Sequence, residues 1–391
     1  MSAALRFTVA FSAIFLAAPA FAVDEVFEAG DGTAFRVETI ADGLSHPWAI
    51  AFLPDGGMLV TERPGQLRRI SADGEVSEPI DGVPDVDARG QGGLLDIALD
   101  PQFEDTRLIY MSFAEAGDSG NGTAVARGRL NEDMTALTDV EVIFRQQPKV
   151  ESEGHFGSRL VFDREGHLFV TLGERFEEQV RGQAQELNSH LGKIVRINPD
   201  GSVPRDNPFV GREGALPEIW SYGHRNIQAA AMNPETGVLW EIEHGPEGGD
   251  ELNIVKPGAN YGWPVVSLGV NYDGTPVGEG IQHAEGMIDA VYSWTPVIAP
   301  SGMIFYEGDA FPAWHGELFV GGLASTALVR LTVDGDKVTG EERLLESLAL
   351  RIRDVAEGPG GTLYVVTDED NGEVLRIQPV DQARTDATGK D

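Results

Sequence analysis

The chain has 391 residues, and its 63 Asp+Glu against 29 Lys+Arg give a formal net charge of −34, a sign that repels nucleic acid and anionic lipid surfaces alike. A hydrophobic fraction of 41% with 24% charged residues is that of a folded globular chain rather than a disordered one. The absence of Cys excludes disulfides, thiolate nucleophiles and Cys-ligated zinc or iron–sulfur centres.

In chain order, residues 1–22 read as a secretory signal peptide. Arg6 supplies the positive start, Phe7 to Ala18 an apolar run too short to span a bilayer, and Ala20-Phe21-Ala22 a small-residue cleavage pattern. The alternative is an N-terminal anchor. On the first reading the mature chain starts near Val23 and is periplasmic or secreted. No later stretch is apolar enough for membrane insertion.

From there a unit recurs six times: an apolar strand, a Gly/Asp turn, a second apolar strand and a third strand that often carries Arg. The first strands fall at Trp48–Leu53, Leu94–Leu99, Ser158–Phe162, Ile227–Met232, Gly302–Tyr306 and Asp354–Glu357. Their second and third partners are Met58–Thr61 with Gln66–Ile70, Leu108–Phe113 with Ala124–Leu130, and His167–Leu172 with Lys193–Ile197. The later units pair Val238–Ile242 with Glu251–Val255, Glu317–Val320 with Ala327–Val333, and Thr362–Thr367 with Glu373–Ile377. No long stretch shows helical periodicity. A small meander cannot bury both its faces alone, but radial stacking buries each against its neighbours. The expected fold is all-β, a six-bladed β-propeller over residues 23–380, with Phe35–Ile40 adding a strand to the last blade and a polar C-terminal tail at 381–391. The long connections, above all Lys256–Met287, are where such a fold builds a site.

Four motifs lead into first strands and so belong on one face. His155, in Glu153-Gly154-His155-Phe156-Gly157, is either a turn histidine or a general base exposed between glycines. Tyr222-Gly223-His224-Arg225-Asn226 offers a guanidinium fork and an amide for a carboxylate, or a structural ion pair. Arg351 and Arg353, two apart on an extended segment, aim two cations at one anion unless Asp354 and its neighbours neutralise them. Gly90-Gln91-Gly92-Gly93 permits close backbone approach, with Gln91 as donor and acceptor. Separately, Glu243-His244-Gly245-Pro246-Glu247-Gly248-Gly249-Asp250-Glu251 is either a calcium-type, oxygen-rich turn or a solvated acidic one. Gly-x-Ser-x-Gly, HExxH, P-loop and dinucleotide fingerprints are all missing.

The series GQGGLL (90–95), HFGSRLVF (155–162), LGKIVRINPDGSVPRDNPF (191–209), GHRNIQ (223–228), EHGPEGGDELN (243–253), NYGWP (260–264) and RIRDV (351–355) resembles the soluble quinoprotein glucose dehydrogenase family, in its aldose sugar dehydrogenase branch. The resemblance spans most of the mature chain with the motifs in order. It implies a six-bladed propeller that binds pyrroloquinoline quinone (PQQ) and Ca2+ and oxidises an aldose at its anomeric carbon to the lactone. It implies His155 as general base, with Gln91 and Arg225 at substrate and cofactor, and Asn226, Tyr272, Arg351 and Arg353 at PQQ. Gly245 and Pro246 then correspond to carbonyl ligands of an active-site calcium, and Glu251 and Tyr261 to ligands of a structural one. Two positions depart from the glucose-oxidising branch: Ala324 stands where that branch has Lys, and His244 where it has Gln. The implied partners are an aldose sugar and an external electron acceptor, with no nucleic acid, in a monomer or homodimer. The competing readings are a calcium-dependent propeller lactonase or other hydrolase, and a non-catalytic binding propeller. A neutral lactone gives no reason for three converging arginines.

Overall fold

The computed structural model describes residues 22–380. The expected leader therefore lies outside the described residues except for Ala22, and the tail 381–391 lies outside them entirely. Six antiparallel sheets follow one another along the chain. Their inner strands are Pro47–Phe52, Leu94–Leu99, Leu160–Phe162, Ile227–Met232, Pro300–Phe305 and Ile352–Glu357. Each packs against the inner strands of its two neighbours, and the last packs against the first, so the blades close a ring. This is the six-bladed propeller expected from the repeats.

Blades two to five carry a fourth strand beyond the three read from sequence: Leu137–Arg145, Ile219–Tyr222, Tyr292–Trp294 and Lys337–Leu344. These outer strands are polar or very short, and a sheet's outer edge needs little apolar patterning. Lys337–Leu344, for example, alternates between exposed and half-buried positions until its final Leu. The sixth blade is completed from the other end of the chain. Ala34–Leu44 pairs antiparallel with Gly372–Pro379, Val37 opposite Ile377 and Thr39 opposite Leu375. Asp24–Glu28 then lies outermost.

Apolar side chains fill the spaces between blades. Trp240, Ile242 and Leu252 of blade four meet Phe305, Leu318 and Val320 of blade five in one buried cluster. Hydroxyls stitch neighbours together at the top of the inner strands. Thr61, Ser112 and Thr171 each accept a hydrogen bond from an inner-strand N–H of their own blade, at 2.9–3.1 Å. Each donates to a carbonyl of the next blade, Leu95, Ser158 and Ile227, at 2.6–2.9 Å.

The guanidinium of Arg159 occupies the axis. It donates to Asp96 of blade two at 2.9 Å, the Gln228 carbonyl of blade four at 3.0 Å and the Ser301 carbonyl of blade five at 3.4 Å. It also pairs with Asp354 of blade six at 3.1 Å. Asp354 in turn accepts from Ile50 N–H of blade one. Among the described residues no helix is long and apolar enough to cross a membrane.

Candidate active site

The residues singled out ahead of the inner strands gather over the axis. Gln91, His155, Arg225, Asn226, Tyr272, Arg351 and Arg353 all line one cavity of about 350 Å3. Arg63, Gln228, His244 and Asp368 complete its polar wall.

His155 sits at φ 49° in the turn that enters blade three. Gly173, at the end of the second strand, makes room for it: a Cβ there would stand 2.1 Å from the His155 carbonyl oxygen. The next residue, Glu174, is buried and places Oε1 3.0 Å from His155 Nδ1. A carboxylate can only accept, so Nδ1 carries the proton and Nε2 is left as the basic nitrogen. Burial holds the imidazole below its ordinary pKa, with Arg225 and Arg175 acting in the same direction and Glu174 opposing them. Burial raises Glu174 itself, but His155, Arg225 and the Phe176 N–H outweigh it, so the carboxyl lies below its usual range. The pair is therefore a neutral base held by an ionised carboxylate. Gln91 accepts the His155 N–H at 2.9 Å, which fixes its amide at the rim beside the ring.

Arg225 donates from Nη1 to the carbonyls of His244 at 2.9 Å and Gly245 at 2.7 Å. Its Nε has no hydrogen-bond partner and lies 4.0 Å from Glu174. Asn226 Oδ1 accepts the Gly157 N–H and ties blade four to the His155 turn. Arg351 and Arg353 do point the same way, and both reach the same Asp368 oxygen, at 3.1 and 2.6 Å. Asp354, the neutraliser considered from sequence, is engaged with Arg159 instead. Ala324 is exposed and supplies no cation. Four guanidinium groups thus line a cavity with one carboxylate in its wall, and Arg63 has no carboxylate partner within 4 Å among the described residues. Tyr272 stands at the mouth, 64% exposed.

Gly245, Pro246, Glu251 and Tyr261 lie apart from this wall, in a narrow cleft of blade four shared with Glu243, behind Arg225. Glu241, Glu243 and Glu251 crowd here with His224. Burial opposes a charge on His224, yet Glu241 and Glu243 push it up to about 9. Burial, Glu243 and Glu241 push the Glu251 carboxyl well above its usual range. Glu241 Oε2 has no partner.

Sequence reasoning missed Glu174, Asp368 and Arg63, and it read Glu243 only as one carboxylate of the acidic turn. A signal was available. Glu62, Glu174, Glu243 and Asp368 all end or follow a blade's second strand, and three of them engage the segment that leads into an inner strand. Glu62 does the same for blade one through the Ser45 N–H at 2.5 Å.

The glucose/sorbosone dehydrogenase family model matches residues 44–376. The chain is 49% identical over 347 residues to the aldose sugar dehydrogenase YliI of Escherichia coli (strain K12), covering 88% of this chain and 93% of that protein. The crystal structure of the soluble aldose sugar dehydrogenase from Escherichia coli in its apo-form is similar with a TM-score of 0.86 at 48% identity, over 88% of this chain and 100% of that one. The PQQ-bound form of an aldose sugar dehydrogenase from Streptomyces coelicolor gives a TM-score of 0.72 at 30% identity, over 93% and 99%.

Proposed function

We propose that this chain, which belongs to the glucose/sorbosone dehydrogenase family, is a PQQ- and calcium-dependent enzyme of the periplasm or exterior that oxidises aldoses at the anomeric carbon to lactones. The observation that carries this reading is one cavity holding a neutral, carboxylate-oriented imidazole beside four guanidinium groups and a single carboxylate.

That wall fits a flat tricarboxylate. Arg351, Arg353 and Arg225 would hold it, with Asn226 and Tyr272 at its edges, because excess positive charge in a partly desolvated hollow selects an anion. The cleft of blade four fits a hard cation. It offers the carboxylates of Glu243 and Glu251 and turn carbonyls, with the partnerless Glu241 oxygen close to both carboxylates. Glu251 and Tyr261 would serve one ion. Gly245 and Pro246 would serve another, since the Gly245 carbonyl keeps a second lone pair after accepting from Arg225. When bound, PQQ supplies a quinone that takes a hydride from the anomeric carbon, and calcium a Lewis acid that polarises it.

The chain's own part is acid–base and positional. His155 Nε2 accepts the proton of the anomeric hydroxyl while Glu174 holds the ring and stabilises the imidazolium. Gln91 and Arg225 orient the sugar, and Arg225 faces the negative charge that develops. An external acceptor would take up the electrons that the oxidation of the sugar releases.

The test is to mix purified cofactor-free protein with PQQ, Ca2+, an aldose and an electron-accepting dye. Bleaching that needs all three additions is the expected result. Lactone hydrolysis without PQQ, or no turnover of any aldose, overturns the reading.

A further inference from the structure

Among the described residues only two aromatic side chains are exposed, Phe176 at 49% and Tyr272 at 64%. Both stand at the mouth of the reaction cavity, with ring centroids 6.4 Å apart. Phe176 also meets the His155 ring edge-on at 5.0 Å. On its far side opens a second cavity of about 500 Å3, lined by Gln91, Glu151, Glu153, Gly154, Phe176 and Glu177. Gln91 lines both cavities, so they adjoin at its side chain.

The backbone is built to present this ring. Arg175 and Phe176 are consecutive non-glycine residues at φ 74° and 66°. Two such residues persist only where the surroundings hold them. Here Arg175 is fully buried and donates to the Gly154, Asn121 and Ser152 carbonyls and to Asn121 Oδ1, at 2.9–3.1 Å. Its guanidinium also lies 3.8 Å over the Phe156 ring. Glu174 takes the Phe176 N–H. A large apolar ring is thereby held half in water, where folding alone gives it no reason to be.

We infer that the second cavity is a subsite for the sugar ring next to the one being oxidised, with Phe176 as its stacking platform. The inference rests on the aldose reading above and adds a specificity determinant to it. A pyranose offers an apolar face for Phe176 and hydroxyl donors for Gln91, Glu153 and Glu177. Glu151 is already paired with Arg89 at 3.2 Å, which leaves Glu153 and Glu177 as the carboxylates facing the ligand. Their charge makes the subsite favour a neutral or amino sugar over a uronic acid.

The experiment uses the PQQ- and Ca2+-loaded full chain with glucose, maltose and a disaccharide whose non-reducing ring is a uronic acid. In Phe176→Ala, kcat/KM falls about tenfold further for maltose than for glucose, through KM, one aromatic contact's worth. Glu153→Gln with Glu177→Gln, which leaves the Phe176 contact on His155 in place, lowers the KM for the acidic disaccharide more than that for maltose. On cofactor-free protein, Phe176→Trp reports binding directly: its emission changes with maltose and not with glucose. Equal losses on glucose and maltose in Phe176→Ala, or an emission response identical for the two sugars, overturn the subsite. Loss of turnover of every sugar by the wild type, with the emission response intact, instead overturns the aldose-oxidation reading.

Discussion

At the scale of single residues the proposed reaction turns on His155 and the carboxylate behind it. The imidazole lies below its ordinary pKa of about 6.5, so the base is already free at neutral pH. The acid limb of kcat/KM, which reports the free enzyme, is therefore expected below the usual histidine range. Removing the ring in His155→Ala lowers kcat by about 10²–10⁴-fold, the usual range for a lost general base. PQQ binding, followed by its absorbance or by calorimetry, stays within about threefold, because the arginine wall is untouched. Glu174→Gln separates orientation from basicity. The carboxylate raises the pKa of His155 by its charge and hydrogen bond, so its loss moves the acid limb to lower pH. Turnover falls as well, since an amide can present a donor to Nδ1 and favour the wrong tautomer. A variant with reduced kcat and an unmoved limb would show that Glu174 only fills space.

At the scale of elements each blade repeats one device, and that explains what the sequence did and did not disclose. The apolar strand–turn–strand unit is a strong local signal, so the inner three strands and the motifs ahead of them were legible. So was the closing strand, because Phe35 and Val37 alternate with polar residues as a half-buried strand requires. The outer strands were not, since a polar edge such as Lys337–Leu344 carries little apolar pattern. Glu174 and Asp368 were illegible for a different reason. In a chain with 63 acidic residues a lone carboxylate after a strand is unremarked until the repeat is aligned with itself. Arg63 was hidden in the same way, as one Arg of a Thr-Glu-Arg strand end. The hydroxyl stitch is the testable part of the device. Thr171→Val keeps shape but leaves the Arg159 N–H and the Ile227 carbonyl without their partner. Urea unfolding should show a loss of about 1–3 kcal/mol, the cost of buried polar groups left unsatisfied, and Thr171→Ser should restore most of it.

At the scale of the whole molecule a propeller has no central core, and the closed ring must be held where the six inner strands converge. Two contacts do this from opposite directions. The strand Ala34–Leu44 locks the rim by joining the chain's two ends in one sheet, and Arg159 locks the axis under the cavity floor. Trp48 links axis and site, since Arg159 stacks on it at 4.8 Å and Arg353 lies 5.9 Å from the same ring. The charge balance at the axis is asymmetric, with one guanidinium facing Asp96 and Asp354 in a dry interior. Burial and Asp354 push Asp96 up to about 7 against the pull of Arg159. Arg159→Met would leave both carboxylates buried without a cation, at a cost of about 3–5 kcal/mol near neutral pH. The sign of its pH dependence follows. Without Arg159 both carboxyls titrate still higher in the folded state than in the unfolded one. Folding is then favoured while they are protonated, and that contribution is lost as pH rises through their folded pKa values. Urea melts of wild type and variant should therefore lie closest at pH 5 and separate steadily toward pH 8. A gap that stays constant across that window would mean that the guanidinium acts by packing on Trp48 rather than by charge.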